Sequence, residues 1–220
     1  MQISNARLIL GSGSPRRQAL FARFWGHDGF ITVVPDFDEE AFIDIWMSNN
    51  FQGKTGDLAA ALAEGKAKSI SKDLEGVFVV VAADTLVVCN GTILGKPDDN
   101  ISAKKMLKQM SGRQHEVITG LSLAASNGNT SRIWTDYVKT EVKFHELTEP
   151  VTEWYISSGE PLDKAGAYGI QGLGSVLVES INGCYYNVMG LPVSRLMTML
   201  QDAAVTSSEF KFISGFLPWS

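Results

Sequence analysis

Apolar residues recur with two different periods along this chain. Runs rich in Val, Ile and aromatic residues cover residues 6–10, 30–34, 77–89, 117–124, 137–144 and 175–180, the makeup of strands. Between them the spacing becomes helical. Ser14-Pro15 has the form of an N-cap followed by Pro at the first helical position, with Arg16, Arg17, Leu20 and Phe21 behind it. Asp57 stands where a cap belongs ahead of Leu58, Ala61, Leu62, Ser69 and Ile70, which share one stripe. Ala103, Met106, Leu107 and Met110 repeat at i, i+3, i+4, i+7, as do Val193, Leu196, Met197 and Leu200 after Leu191-Pro192. Strands interleaved with helices predict an α/β protein. The back-to-back strands across residues 115–147 predict antiparallel neighbours, and so a mixed sheet flanked by helices rather than a purely parallel one. No repeat, low-complexity segment or linker divides the chain, and residues 1–220 are expected to form a single domain. The longest irregular stretch, residues 158–174, has glycine at Gly166, Gly169, Gly172 and Gly174; long ordered loops in compact domains are usually functional. The aromatic stretch at residues 207–220 has two readings, packing on the body or on a partner chain.

Composition removes several classes. With 45% hydrophobic and 20% charged residues over 220 positions, the chain can bury a real core. Nineteen Lys and Arg against 24 Asp and Glu give a net charge of −5, the wrong sign for coating a nucleic-acid backbone, so no nucleic-acid partner is expected and any basic site is local. The most apolar run, residues 77–83, is interrupted by Asp84 and falls far short of the ~20 residues of a membrane span. The first seventeen residues offer only about five that imitate a signal-peptide core. A cytoplasmic location with no membrane association is the expectation. Cys89 and Cys184 then read as free thiols, and His27, His115 and His145 lack zinc-type spacing.

Chemistry concentrates in a few segments. Gly-Ser-Gly-Ser-Pro-Arg-Arg at residues 11–17 sits where a strand runs into a helix, a junction that presents backbone N–H groups at the positive end of the helix dipole. Arg16 and Arg17 in the first turn oppose that dipole, at up to about 1 kcal/mol, unless an anion sits there. They suggest a phosphate ligand; the alternative is a solvated basic turn. Neither a dinucleotide fingerprint nor a Walker loop fits: Arg16 takes the third glycine's place after Gly11 and Gly13, and Ser48 stands where a loop ending in Gly53-Lys54-Thr55 needs its first glycine. Asp84 follows seven apolar residues, and a carboxylate there demands a metal, a cation or hydrogen-bond donors. Asp38, Glu39 and Glu40 form the densest acidic cluster; alone it reads as a solvated loop, and with Asp84 as hard oxygen ligands for Mg²⁺ or Mn²⁺. Lys66, four residues after Leu62 and four before Ile70, lies on the inward stripe of its helix and either meets an acceptor or snorkels to water. Lys96 is framed by Gly95 and Pro97, in an aimed or merely exposed turn. Asp163-Lys164 allows the same two readings, and His115 reads as part of a turn between helix and strand rather than as a catalyst.

In order along the chain, SGSPRR at 12–17, DE at 38–39, LAEGKA at 62–67, AADT at 82–85, ILGKP at 93–97, SGRQHEVITG at 111–120, GEPLDKAGAYGIQG at 159–172 and NVMGLP at 187–192 together resemble the Maf family of nucleotide pyrophosphatases. The DKAGAYGIQG form is similar to the subgroup acting on dTTP and UTP. The resemblance implies an elongated α/β fold with two lobes around a central cleft, a homodimer, and hydrolysis of a nucleoside triphosphate to the monophosphate and pyrophosphate with Mg²⁺ or Mn²⁺. It implies that Ser12, Arg16, Arg17, Lys66 and Lys96 bind phosphate, with Lys66 and Lys96 among the catalytic set, and that Glu39 and Asp84 hold the metal. Asp84 then serves as general base, metal ligand or both, while Thr85, Asp163, Lys164 and Gln171 contact substrate, the Gln171 amide matching the imide edge of thymine or uracil. Gly11 departs from the Ala usual in that family. The rival readings are a pyrophosphatase of the same fold for 7-methyl-GTP or a non-standard purine nucleotide, and a nucleotide-sensing regulator of septum formation without turnover.

Overall fold

The strand runs become strands where β-branched residues are densest, and tertiary packing adds elements that the periodicity does not show. The computed structural model describes residues 6–48 and 54–220. Its elements run β1 (Arg7–Gly11), α1 (Pro15–Trp25), β2 (Ile31–Val33), α2 (Glu39–Ser48), α3 (Thr55–Ser71), β3 (Val77–Cys89), β4 (Thr92–Leu94), α4 (Asn100–Met110), β5 (Gln114–Asn127), β6 (Ser131–Phe144), α5 (Glu149–Ser157), β7 (Val178–Asn182), α6 (Tyr185–Val188) and α7 (Val193–Thr206). Seven strands form one mixed sheet in the order β2-β1-β3-β5-β6-β7, with β4 paired to β3. β1 is parallel to both β2 and β3. β4 is antiparallel to β3, and β7 to β6. β5 and β6 are sheet neighbours joined by three residues, a link that only an antiparallel pair can make.

Three readings change. Asp57 is not the cap of α3: the helix begins at Thr55, and the Asp57 carboxylate reaches back to accept the Lys54 N–H at 3.1 Å. The acidic cluster is not a loop, because Asp38 Oδ1 accepts the Ala41 N–H at 2.9 Å and starts α2, with Glu39 and Glu40 in its first turn. The last strand begins at Val178, since residues 172–177 wind into 3₁₀ turns. Gly53, of the Gly-Lys-Thr triplet, lies outside the described residues.

The chain divides into two compact units. One comprises Met1–Asp84, Gly120–Tyr137 and Val193–Ser220, the other Thr85–Thr119 and Val138–Pro192, so β3, β5 and β6 contribute residues to both. In the first, β3 turns Phe78, Val80 and Ala82 toward Ala67 and Ile70 of α3, with Ile9 and Ala124 completing the cluster. Helix α3 comes very close to the sheet there: a Cβ added to Gly120 would run into the backbone of Ala59 and Ala60. The aromatic C-terminal stretch packs on this unit, where Phe210 is buried edge-on to Trp134 and Trp25 Nε1 donates to Phe216 O at 2.6 Å.

In the second unit, Val87, Cys89, Leu107, Met110, Phe144, Tyr155 and Leu177 share a core. Both cysteines are free thiols. His115 is buried in this core, edge-on to Phe144, with Nε2 2.8 Å from the Tyr168 hydroxyl. Burial pushes its pKa down from 6.5 to about 4, so it belongs to the packing, in keeping with its non-catalytic reading. No helix among the described residues is long and apolar enough to cross a membrane.

Two outcomes follow from this packing. Gly120→Ala should destabilise the chain by roughly 1–3 kcal/mol through overpacking against backbone that cannot yield, read as a lower urea midpoint with unchanged slope. Between pH 6.5 and 4 the unfolded chain binds a proton at His115 that the folded chain refuses. Stability is therefore full above about pH 6.5 and is lost as pH falls through about 4, by at most about 3 kcal/mol. His115→Phe should flatten the fall in unfolding free energy over that window; an unchanged slope would contradict the assignment.

Candidate active site

Asp84 lies where the sequence makes a carboxylate most expensive. It follows a run of residues on β3 that are buried on both faces, and is itself only 4% exposed. Its counter-charge comes from α3, whose inward stripe Leu62, Lys66 and Ile70 is buried throughout. Spacing by four puts Lys66 between two core residues, and its ammonium meets Asp84 Oδ1 in a direct ion pair. The stem does not snorkel. A second carboxylate approaches from the first turn of α2, with Glu39 Oε1 2.7 Å from Lys66 Nζ. Unlike Asp84, Glu39 is half open to solvent. Asp38 is occupied as the cap of α2, and Glu39, not Glu40, is the acid that reaches Lys66.

The β1–α1 junction lies in the same unit. The turn closes on itself: Ser12 N donates to Leu10 O at 3.1 Å, and buried Ser12 Oγ accepts the Ser14 N–H at 3.1 Å. Gln18 Nε2 donates to Ser12 O at 3.2 Å. Ser14 caps α1 by position without a side-chain capping bond, and the helix has no acid in its first turn. Arg17 feels both carboxylates: burial lowers its pKa from the usual guanidinium value, Asp84 and then Glu39 pull it back up, and Arg16 pushes it down. It remains a cation. Three cations, Arg16, Arg17 and Lys66, are thus set against Glu39 and Asp84 in one unit of an otherwise acidic chain.

The remaining candidates belong to the second unit. Thr85 Oγ1 is 3.0 Å from Thr119 Oγ1, which in turn donates to Asn187 O at 3.0 Å. Lys96 is exposed on a turn tied down by the Gly166 N–H bond to Gly95 O at 3.0 Å, and has no ion pair among the described residues. Lys164 Nζ donates to Glu160 O and to Asp163 Oδ1, both at 2.6 Å, so this pair is a local clasp of the loop. Gln171 is half-buried at the start of the 172–177 turns.

Two features here escaped the sequence reading. Glu160 organises the glycine-rich loop next to Gln171, its carboxylate accepting from Leu173 N at 3.0 Å, Gly174 N at 3.2 Å and the Tyr155 hydroxyl at 3.3 Å. Phe37 lies on bare backbone at Gly65, where an added Cβ would stand 2.5 Å from the ring's Cζ. The first had a signal in Gly159-Glu160-Pro161, an acid inside a turn; the second had none.

Two carboxylate oxygens converging on one cationic group are a donor set that suits a hard divalent ion, which takes one or two protein carboxylates and completes its shell with phosphate and water. No group of three or more His, Cys, Asp or Glu side chains suited to a metal occurs among the described residues, so a cage made by protein alone is not available there, and the fit is to a metal shared with substrate.

A family model described as Maf-like protein matches residues 7–203. A Clostridium botulinum (strain Kyoto / Type A2) protein named dTTP/UTP pyrophosphatase is 45% identical over 200 residues, 90% of this chain and 97% of that one. A Clostridium novyi protein of the same name is 45% identical over 199 residues, covering 90% and 98%. Among solved structures, a HAM1 protein from Coxiella burnetii aligns with 90% of this chain and 100% of its own at a TM-score of 0.43 and 13% identity, a likeness too distant to bear on the site. Matched over residues 7–203, and at 45% identity across nine-tenths of its length, this chain belongs to the Maf family.

Proposed function

We infer that this protein is a nucleoside triphosphate pyrophosphatase acting on dTTP and UTP, releasing the monophosphate and pyrophosphate. The observation that carries the reading is the buried Asp84 held by Lys66 beside Glu39, in a chain whose relatives bear the name dTTP/UTP pyrophosphatase. Hydrolysis at the α-phosphorus needs a base for the attacking water and cations for the charge that develops on the leaving pyrophosphate. Asp84 is the base: its carboxylate is withdrawn from bulk water and aimed by its ion pair with Lys66, so it takes the proton from water in a defined direction. Lys66 couples base and substrate. Phosphate oxygens compete for the same ammonium, and each hydrogen that Lys66 gives to phosphate releases a carboxylate lone pair.

Arg16 and Arg17 supply guanidinium donors to the phosphates, with Ser12 shaping the turn that leads into α1. Lys96 is assigned to the same polyanion. Glu39 and Asp84 are the residues that would hold Mg²⁺ or Mn²⁺, which when bound neutralises phosphate charge and polarises the scissile bond. Thr85, Asp163, Lys164 and Gln171 are assigned to the nucleoside, Gln171 offering one donor and one acceptor to the imide edge of thymine or uracil.

The test is pyrophosphate release from dTTP, UTP, CTP, 7-methyl-GTP and ITP, with Mg²⁺ or Mn²⁺, beside a chelator control and Asp84→Asn. Turnover of dTTP and UTP is expected to vanish with chelator and to fall at least about 100-fold in Asp84→Asn, with nucleotide affinity largely kept. Release only from 7-methyl-GTP or ITP would overturn the base assignment. Tight binding without release in the natural chain would favour a regulator that senses nucleotide.

A further inference from the structure

Helix α2 brings Glu39 to Lys66, yet no residue of α2 is buried. Ile45 and Met47 are exposed and the helix has no basic residue in its last turn, so neither a core-facing stripe nor a charge at that end explains how its first turn is held. What holds it is the segment just ahead. Phe37, two residues before Glu39, lays its ring on the bare backbone of Gly65, the residue before Lys66, and packs on Phe42 of α2 with centroids 5.3 Å apart. Ring and acid are thus two positions apart on one segment, while socket and lysine are neighbours on the other. With the ring so seated, Glu39 Oε1 stands 2.7 Å from Lys66 Nζ. Gly65 sits inside a 17-residue helix, where glycine is the poorer helix former. Any side chain there would occupy the space of the ring.

We propose that Phe37 is a positioning residue for Glu39: its ring, seated on Gly65, sets the reach of the Glu39 carboxylate toward Lys66 and thereby the affinity of the Glu39–Asp84 pair for a divalent ion. This rests on the reading above in which Glu39 holds metal. Phe37 itself touches neither substrate nor ion. Residues that orient a ligating carboxylate commonly govern metal affinity by about 10–100-fold; a ring that acts through Glu39 loses its effect when that carboxylate is removed, whereas one that acts through Gly65 and Lys66 on Asp84 keeps it.

The experiment is a double-mutant cycle on the full chain with Phe37→Ala, Glu39→Gln and the double variant. Mn²⁺ binding is measured by calorimetry with a saturating uncleavable α,β-imido analogue of dUTP present, and the metal dependence of kcat and KM separately. Phe37→Ala is expected to weaken Mn²⁺ binding about tenfold, while the double variant binds as Glu39→Gln does. Gly65→Ala, which fills the socket from the other side, is expected to reproduce the loss, and adding Phe37→Leu to it to restore part of the affinity. Should Phe37→Ala fail to fold by circular dichroism, the Gly65→Ala and Gly65→Ala/Phe37→Leu pair decides alone. Natural Mn²⁺ affinity in Phe37→Ala or Gly65→Ala would overturn the proposal, as would an equal further loss when Phe37→Ala is added to Glu39→Gln. Natural Mn²⁺ affinity in Glu39→Gln would instead overturn the metal role of Glu39.

Discussion

An ionised carboxylate inside an apolar strand is the constraint from which the first unit follows. Taking Asp84 out of water costs several kcal/mol, and only a close, well-directed counter-charge returns it. That charge has to come from the helix covering the same face of β3, so α3 must present a lysine where its stripe would otherwise be aliphatic, and must lie close enough for the ammonium to arrive. Glycine makes the approach possible: Gly120 lies under Ala59, and Gly56 leaves room for Tyr137. A hydrophobic pair of the same volume would hold such a core as well or better. The Lys66–Asp84 pair is therefore weak evidence for stability and stronger evidence for chemistry.

The charges gather where the chain as a whole is acidic. Two arginines stand in the first turn of α1 against its dipole, a placement that a bound polyanion would favour. In the proposed function, a triphosphate would meet the guanidinium groups, the N-terminus of α1 and the ammonium together. Phosphate would then compete with the two carboxylates for Lys66, and so couple binding to the readiness of the base. Preorganised charge of this kind acts without reorganisation at the moment of reaction.

How much of this could be read in advance depended on range. Asp84 and Lys66 were visible as candidates because their oddity is local: a charge inside a strand, a lysine on an inward stripe. That they meet is tertiary information. Glu39 was singled out by the family resemblance alone and otherwise read as one of an acidic group, because α2 has no buried stripe and its residues carry no core signal; the capping role of Asp38 and the contact of Glu39 with Lys66 then separate the three acids. The β3–β4 hairpin had a local signal that the reading passed over, Asn90-Gly91, both at positive φ in a two-residue turn. Asp57 was misplaced by three residues because an acid at the third helical position, reaching back to the Lys54 N–H, resembles a cap in sequence. The seating of Phe37 on Gly65 joins residues 28 positions apart and leaves no periodic trace.

The second unit solves a different problem. Its loop has to hold a definite course through several glycines, between the buried side chains of Tyr168, Ile170 and Leu177. It does so through backbone contacts: Glu160 accepts two consecutive N–H groups, Gly166 N donates to Gly95 O, and Ala167, fully buried, adopts φ of 59°. Left-handed backbone at a non-glycine residue costs roughly 1–2 kcal/mol, a strain that persists only where surrounding contacts determine the backbone. Such a loop fixes the point from which the Gln171 side chain leaves the backbone. Discrimination by hydrogen bonding is strong when the site cannot adapt, because a base with the wrong edge leaves buried polar groups unpaired. Backbone rigidity here and ionic pairing in the other unit are separate devices; on the proposed assignment of Gln171 to the base, the loop could change what is read while the Asp84–Lys66–Glu39 arrangement stays the same.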